Sequence, residues 1–399
     1  MQEFYPFFII IFAGVFFSMV FRRIHVPWVV ALILGGIISG PHALDLIKIT
    51  PTVEFIGQIG LIFLMFMAGL ETKFSSFSEF RSGLLWLSFI NGAVPFFAGL
   101  GIGFLFGYGW TSSLLIGIIF ISSSIAVVIP SLERHGLLQT RLGQSVVMTS
   151  IIQDIASLII LSVLLQNISP VTKIPLYLFY PLLLIALIIL GLVLPKIRRL
   201  LSYQISKSKD LFQQEFRSVF LILIVTVIIF ELLGLHPIIA GFFAGLVLAK
   251  SVTSSVLKDK IRTIGYGIFI PTFFIIIGTQ TDIRVFFEAD GSLVLISVII
   301  IGSILSKFLS GWIGGKMVGF DSNQALLFGV SSIPQLSTTL AVVFTALALG
   351  YVDQKLITAM ITLSIVTTMV SPILMALLGE RIKKSISATL PQSNTNSTE

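Results

Sequence analysis

The chain has no cysteine and few charges, and each shortage excludes a class of function. Without cysteine there is no disulfide, no thiolate metal site and no cysteine nucleophile. The four histidines, His25, His42, His135 and His236, are scattered and have no metal-ligand spacing. Charged residues make up 11% of the 399 residues, against about a quarter in a soluble globular chain. Hydrophobic residues make up 56%. No water-soluble core of this size hides so much apolar surface, because roughly half of a folded protein's surface must face its solvent. The solvent here is lipid. The 35 phenylalanines and 33 glycines agree with this, since glycine lets membrane helices approach closely.

A helix crosses the hydrocarbon core with about 20 apolar residues. On that measure the sequence predicts about thirteen spans. They lie at 4–21, 27–40, 52–70, 82–107, 113–130, 143–166, 175–195, 216–234, 236–250, 264–279, 292–313, 323–349 and 355–379. The first does not read as a convincing signal peptide. Its basic residues, Arg22 and Arg23, follow the apolar run, and no small-residue cleavage site succeeds it. Those arginines favour the cytoplasm, which puts the N-terminus outside and the C-terminus inside. Nearly every other Lys and Arg then falls on an inner loop, while Lys48, Lys173, Arg284 and Lys355 fall outside. The skew follows the positive-inside rule. The net charge of +7 is therefore a sign of topology and gives no reason to expect a nucleic-acid partner. The polar end, 381–399, is expected to be a disordered cytoplasmic tail.

Two segments look alike. FISSSIAVVIP at 120–130 and GVSSIPQLSTTLA at 329–341 each set a serine pair and a proline in mid-membrane. Both loosen a helix and free backbone groups that lipid cannot satisfy, so such breaks persist only against protein or a watery cavity. They fall in the fifth and twelfth spans. That odd offset gives them opposite orientations, as in an inverted repeat joined by the span at 175–195. Paired interrupted helices are a sequence pointer to a transporter's binding site.

Beside them lie buried charges. Asp154, in TSIIQDIASLII, sits near the middle of the sixth span, where a charge is costly. The plainer account is a structural aspartate bonded to a neighbouring helix. The alternative is a site for something positive. Loss of water penalises the ionised carboxylate, whereas an incoming cation favours it. One carboxylate contested by H⁺ and a metal ion is the core of an exchanger. Gln153 cannot titrate, but its amide oxygen is available to an ion or to the facing break. Thr149, Ser150 and Ser157 could line the same region. Lys307 is the second intramembrane charge. It either snorkels to the interface, or partners Asp154 or the carbonyl end of a broken helix. Glu231, near a span end, divides evenly between function and structure. Glu71 reads as a helix-end residue.

These residues resemble the membrane domain of monovalent cation/proton antiporters of the second cation–proton antiporter group, with its Kef-type and NapA-type members. The matching stretches are LILGGIISGPHAL at 32–44, IGLIFLMFMAGLE at 59–71, SSSIAVV at 122–128 and the Gln153–Asp154 pair. GLHPIIAGFFAGLVLA at 234–249, PTFFIIIGTQTDI at 271–283 and Lys307 complete the set. The resemblance implies an all-α membrane fold of two inverted six-helix repeats with crossed discontinuous helices. It implies a membrane domain over 1–380, with a dimerising scaffold at 1–70 and 216–280. The mobile core would take 82–166 and 292–379, with a linker helix at 175–195. Asp154 would bind the ion and the proton, Ser122, Ser123 and Ser124 would lie at the first crossover, and Lys307 would be the core lysine. Ser331, Ser332 and Gln335 would lie at the second crossover. No cofactor is implied beyond the transported K⁺ or Na⁺ and H⁺. The partners implied are lipid and a second copy of the chain, in a bacterial plasma membrane.

Within this group the residue before the aspartate varies. Gln-Asp resembles the Kef-type potassium systems, so the resemblance favours electroneutral K⁺/H⁺ exchange, with Na⁺/H⁺ exchange as the alternative. Two departures stand out. Kef-type relatives carry a C-terminal nucleotide-binding domain, so such gating here would need a separate cytoplasmic subunit. The second crossover, SSIPQLSTTLA, has no charge, so Gln335 and the hydroxyls would have to replace it. A channel would be expected to show a carbonyl filter, and an aspartyl protease a second acid. The sequence displays neither. A membrane sensor remains open, although it would have no need of Asp154.

Overall fold

The computed structural model describes residues 4–23, 26–71, 82–168, 211–232, 237–249, 254–282 and 292–389, with a few isolated positions between them. The described residues form helices and connecting turns. In order they are α1 (Phe4–Arg22), α2 (Trp28–Ser39), α3 (Pro51–Glu71), α4 (Ser82–Leu105), α5 (Trp110–Ile121), α6 (Ile125–Arg134), α7 (Arg141–Ile168) and α8 (Leu211–Leu232). Then come α9 (Pro237–Leu248), α10 (Ser255–Ile264), α11 (Ile270–Thr279), α12 (Ser292–Met317), α13 (Ser322–Ser332), α14 (Ser337–Ala348) and α15 (Gln354–Thr389). A single π-helical turn, Gly265–Phe269, joins α10 to α11.

Among the described residues, nine segments are long and apolar enough to cross a membrane, and the shorter Trp28–Ser39 is apolar too. Two of the nine, Trp110–Arg134 and Ser322–Ala348, are each a pair of half-helices. The expected linker span at 175–195 lies almost wholly outside the described residues, as does His236. At the C-terminus α15 runs on to Thr389, so the tail expected to be disordered from 381 begins as helix. RIKKSISAT holds good helix formers and no proline before Pro391.

Packing sorts the helices into two groups. α1, α2, α3, α8, α9 and α11 pack on one another, and so do α4, α5, α6, α7, α12, α13, α14 and α15. Between the groups, α14 touches α3 and α15 touches α2. In the first group the fit is set by glycine. A Cβ on Gly36 of α2 would stand 2.9 Å from the Cα of Gly278 in α11. Backbone therefore meets backbone there, the small-residue packing that membranes favour. The outward faces are apolar, as lipid requires. Phe4, Phe8, Phe12 and Phe16 of α1 are all exposed.

Candidate ion-binding site

The two breaks cross in the second group. α5 ends where Ser122 turns extended (φ −72°, ψ 156°), and α6 resumes after Ser124. Serine hydroxyls compete with helical hydrogen bonding, which weakens the helix at such a run. Pro130, which the sequence pattern set beside the serines as part of the break, lies inside α6 instead. The chain leaves the helix where the other break supplies partners. Ser124 N–H donates to the Pro334 carbonyl at 2.6 Å, and the Ser123 hydroxyl lies 2.9 Å from the Ser332 carbonyl. In the second segment the break spans 333–336, between α13 and α14, and Pro334 does fall in it. Gln335 N–H donates to Thr367 Oγ1 at 3.2 Å. The backbone groups freed by the breaks thus find protein partners, as a membrane interior demands.

Half-helix ends carry partial charge, negative at the C-terminus and positive at the N-terminus. The two ionisable groups that are buried among the described residues follow that polarity. Lys307 of α12 is 0% exposed. Its Nζ donates to the Ile121 carbonyl at the C-terminal end of α5, to Ser123 Oγ at 3.0 Å and to Gln153 Oε1 at 3.1 Å. Of the two partners expected for Lys307, the structure has the carbonyl end of the broken helix. Among the described residues no ion pair joins it to Asp154. Asp154, 4% exposed at the centre of α7, faces the start of α14. Its Oδ1 accepts from Thr338 Oγ1 at 3.0 Å, in that helix's first turn.

The other expected site residues fall into two sets, with Glu231 and Glu71 apart from both. Gln153 is at the crossing, but its oxygen is taken by Lys307 and lies within reach of Ser123 at 3.1 Å. Its Nε2 is buried with no partner among the described residues. Ser122 shares a hydrogen bond with Thr339 at 3.2 Å. Gln335 Nε2 donates to Ser303 at 3.0 Å, while Gln335 Oε1 and Ser124 Oγ are buried and unpartnered among the described residues. Ser332 is held by Asn91 at 2.9 Å. A second set bonds within or beside its own helix. Ser150 donates to Val146, Ser157 to the Asp154 carbonyl and Ser331 to Leu327, and Thr149 accepts from Ser88. Glu231 is in neither set. With Glu54, Gln58 and Gln280 it lines a separate cavity of about 520 Å³, walled by Phe273 and Phe344, where α3, α8, α11 and α14 end or begin. Glu71 closes α3, and its side chain lies outside the described residues.

The sequence reading passed over Asn91, Ser303, Thr338 and Thr367. A signal existed for one of them: Thr338 stands in the STT run just after the second break, where a helix N-terminus and a hydroxyl coincide.

A sequence model of the family described as "Sodium/hydrogen exchanger, transmembrane" matches residues 7–378. The chain belongs to that family. The exchanger is 30% identical over 379 residues to the "Probable Na(+)/H(+) antiporter 3" of Methanocaldococcus jannaschii, covering 94% of this chain and 96% of that protein. It is 24% identical to the Na(+)/H(+) antiporter of Enterococcus hirae, over 92% of this chain and 95% of that one. It is 26% identical to the Na(+)/H(+)-K(+) antiporter GerN of Bacillus cereus, over 88% of this chain and 89% of that one. In structure it is similar to the sodium proton antiporter MjNhaP1 of Methanocaldococcus jannaschii at pH 8, with a TM-score of 0.70 at 16% identity. That match covers 94% of this chain and 97% of the other, and it shows a shared fold. The exchanger is an integral membrane protein of the monovalent cation/proton antiporter type, with an all-helical fold.

Proposed function

We propose that this chain exchanges one monovalent cation for one H⁺ across the membrane, by alternating access at Asp154. The observation that carries the reading is the division of partners between the two buried charges. Lys307 is committed to neutral oxygens, which leaves the Asp154 carboxylate bonded to a single hydroxyl. A carboxylate held so lightly, next to two helix breaks, can take a cation or a proton in turn. With Lys307 as a fixed charge, the cation-loaded and proton-loaded sites carry the same net charge. One-for-one, electroneutral exchange follows from that equality.

Na⁺ is the favoured ion, because each of the three relatives above is named for Na⁺/H⁺ exchange. K⁺ is the second reading. The Gln153–Asp154 pair resembles that of the Kef-type systems, and GerN is named for both ions. In the same reading, the group of helices holding the crossover is the moving core, about 82–166 and 292–379. The other group is a scaffold, about 1–70 and 216–280, through which two copies pair. The N-terminus lies outside, and the cavity at Glu54 and Glu231 then opens on the outer face. In proteoliposomes, adding Na⁺, K⁺, Li⁺ or Rb⁺ across a range of pH should dissipate a preformed pH gradient, with Na⁺ the most effective. An ordering headed by K⁺ would support the second reading, and no response to any of the four would end both.

A further inference from the structure

α4 carries a buried amide in an otherwise apolar stretch: Asn91 is 1% exposed. An amide in such surroundings is costly unless both of its ends are bonded. Both are. Nδ2 donates to Ser332 Oγ at 2.9 Å, and Oδ1 accepts from Ser310 Oγ at 2.9 Å. Neither partner is incidental to the crossover. Ser332 is the last residue of α13, and its carbonyl meets the Ser123 hydroxyl. Ser123 in turn receives Lys307. Ser310 stands one helical turn beyond Lys307 on α12. Lys307, Ser123, Ser332, Asn91 and Ser310 therefore close a ring across α12, the two breaks and α4. Two glycines make room for it. A Cβ on Gly311 would lie 2.9 Å from Gly329 Cα and 3.0 Å from Ser332 Oγ. α12 and α13 touch backbone to backbone beside the amide.

We infer that Asn91 is a positioning residue for ion exchange. It fixes the end of α13 against α12, at the height that lets Ser123 meet the Ser332 carbonyl and Thr338 meet Asp154. This rests on the reading of Asp154 as the exchange site. Asn91 touches neither Asp154 nor the ion; it acts through Ser332 and Ser123. Without it the end of α13 is free to slide on the two glycines. Lys307 and Gln153 then shift relative to Asp154, and the contest between cation and proton at that carboxylate changes. A merely structural interhelical bond would lower stability and leave that contest alone.

The test is cation-driven exchange in proteoliposomes, with Na⁺ and K⁺ titrated at several pH values. It compares wild type, Asp154→Asn, Asn91→Ala, Ser310→Ala, Ser332→Ala and the Asn91→Ala/Ser332→Ala double variant. Thermal stability in detergent is measured alongside. Asn91→Ala should raise the half-saturating cation concentration about fivefold, the size expected for one net hydrogen bond, and displace the pH profile. The double variant should fall short of the sum of the two single effects, because both remove the Asn91–Ser332 contact. If Asn91→Ala does not fold, Ser310→Ala decides, since it breaks the same ring with less loss of volume. An unchanged half-saturation and pH profile, or strictly additive effects, would overturn the assignment. Failure of the wild type to exchange any cation would overturn the Asp154 reading and this one together. Wild-type exchange that Asp154→Asn lacks but Asn91→Ala and Ser310→Ala retain unchanged would overturn only this one.

Discussion

Lys307 donates to Gln153 Oε1 at 3.1 Å, while the next residue, Asp154, is bonded to Thr338 on a different helix. Adjacent positions of α7 thus serve opposite charges. The lysine compensates the C-terminal end of α5, and the aspartate faces the N-terminal end of α14, each at the pole that suits it. Removing the lysine would leave the Ile121 carbonyl and the Gln153 oxygen short of a donor in a dry interior. Lys307→Met should therefore destabilise the protein by about 2 kcal/mol or more, seen as a lower melting temperature in detergent. A melting temperature equal to wild type would mean that those acceptors find other partners.

Asp154→Asn should abolish exchange. The amide accepts neither a proton nor a full cation charge at that position, while the Thr338 contact can persist. Asp154→Glu keeps the charge but moves it by one methylene, and should retain part of the rate. In the proposed mechanism H⁺ and cation compete for one carboxylate in the wild type. The half-saturating cation concentration should then fall as pH rises, until the site is proton-free. Exchange by Asp154→Asn at the wild-type rate, or a half-saturation indifferent to pH, would remove Asp154 from the mechanism.

Thr338 gives Asp154 its hydrogen bond, and such bonds to a charged acceptor are worth about 1.5–3 kcal/mol. Thr338→Val removes the donor at nearly constant volume; Thr338→Ser keeps it. The valine variant should bind the cation differently from wild type by about tenfold or more. The serine variant should stay close to wild type. A valine variant that behaves like wild type would show that the Thr338 hydroxyl does not act on Asp154.

Much of this was legible in the sequence, and the limits have physical causes. The all-helical membrane fold follows from composition and apolar run length. The breaks at 122–124 and 333–336 were legible because serine runs and Pro334 weaken a helix where lipid gives no help. Asp154 and Lys307 stood out because charge is rare at that depth. Their partners stood out only in part: the carbonyl end of a broken helix was one of two expected for Lys307, and Thr338 was not foreseen for Asp154. A lysine and an aspartate in separate spans invite a pair, and only the crossing of two half-helices shows that each has a nearer helix end to satisfy. Asn91 was silent for the same reason, and Thr338 showed only as a hydroxyl just after a break. A single amide or hydroxyl in an apolar span is ordinary, and its meaning comes from α13 and α7, which are distant in sequence. Pro130 misled in the other direction. A proline marks a weakened helix, but the break fell on the serines because Pro334 and Ser332 offer acceptors there.

In the proposed mechanism Gln153 sets the charge of the site by being neutral. Its oxygen already accepts from Lys307, so an acid at this position would meet the lysine directly. Gln153→Asp is one methylene shorter, yet its carboxylate would still point toward Nζ. The site would then hold two carboxylates and one lysine. If the lysine neutralises the new acid permanently, exchange stays one for one and blind to voltage. If cation entry also drives the proton off the lysine, two H⁺ exchange for one cation, the loaded and proton-bound sites differ by one charge, and a membrane potential should drive exchange. The second outcome is expected, because a neutral lysine amine still has two N–H groups for its partners, the Ile121 carbonyl and Ser123. The measurement is exchange in proteoliposomes clamped at zero and at negative potential with an ionophore. Equal rates at both potentials, in a variant that still transports, would show that this position does not set the charge carried per cycle.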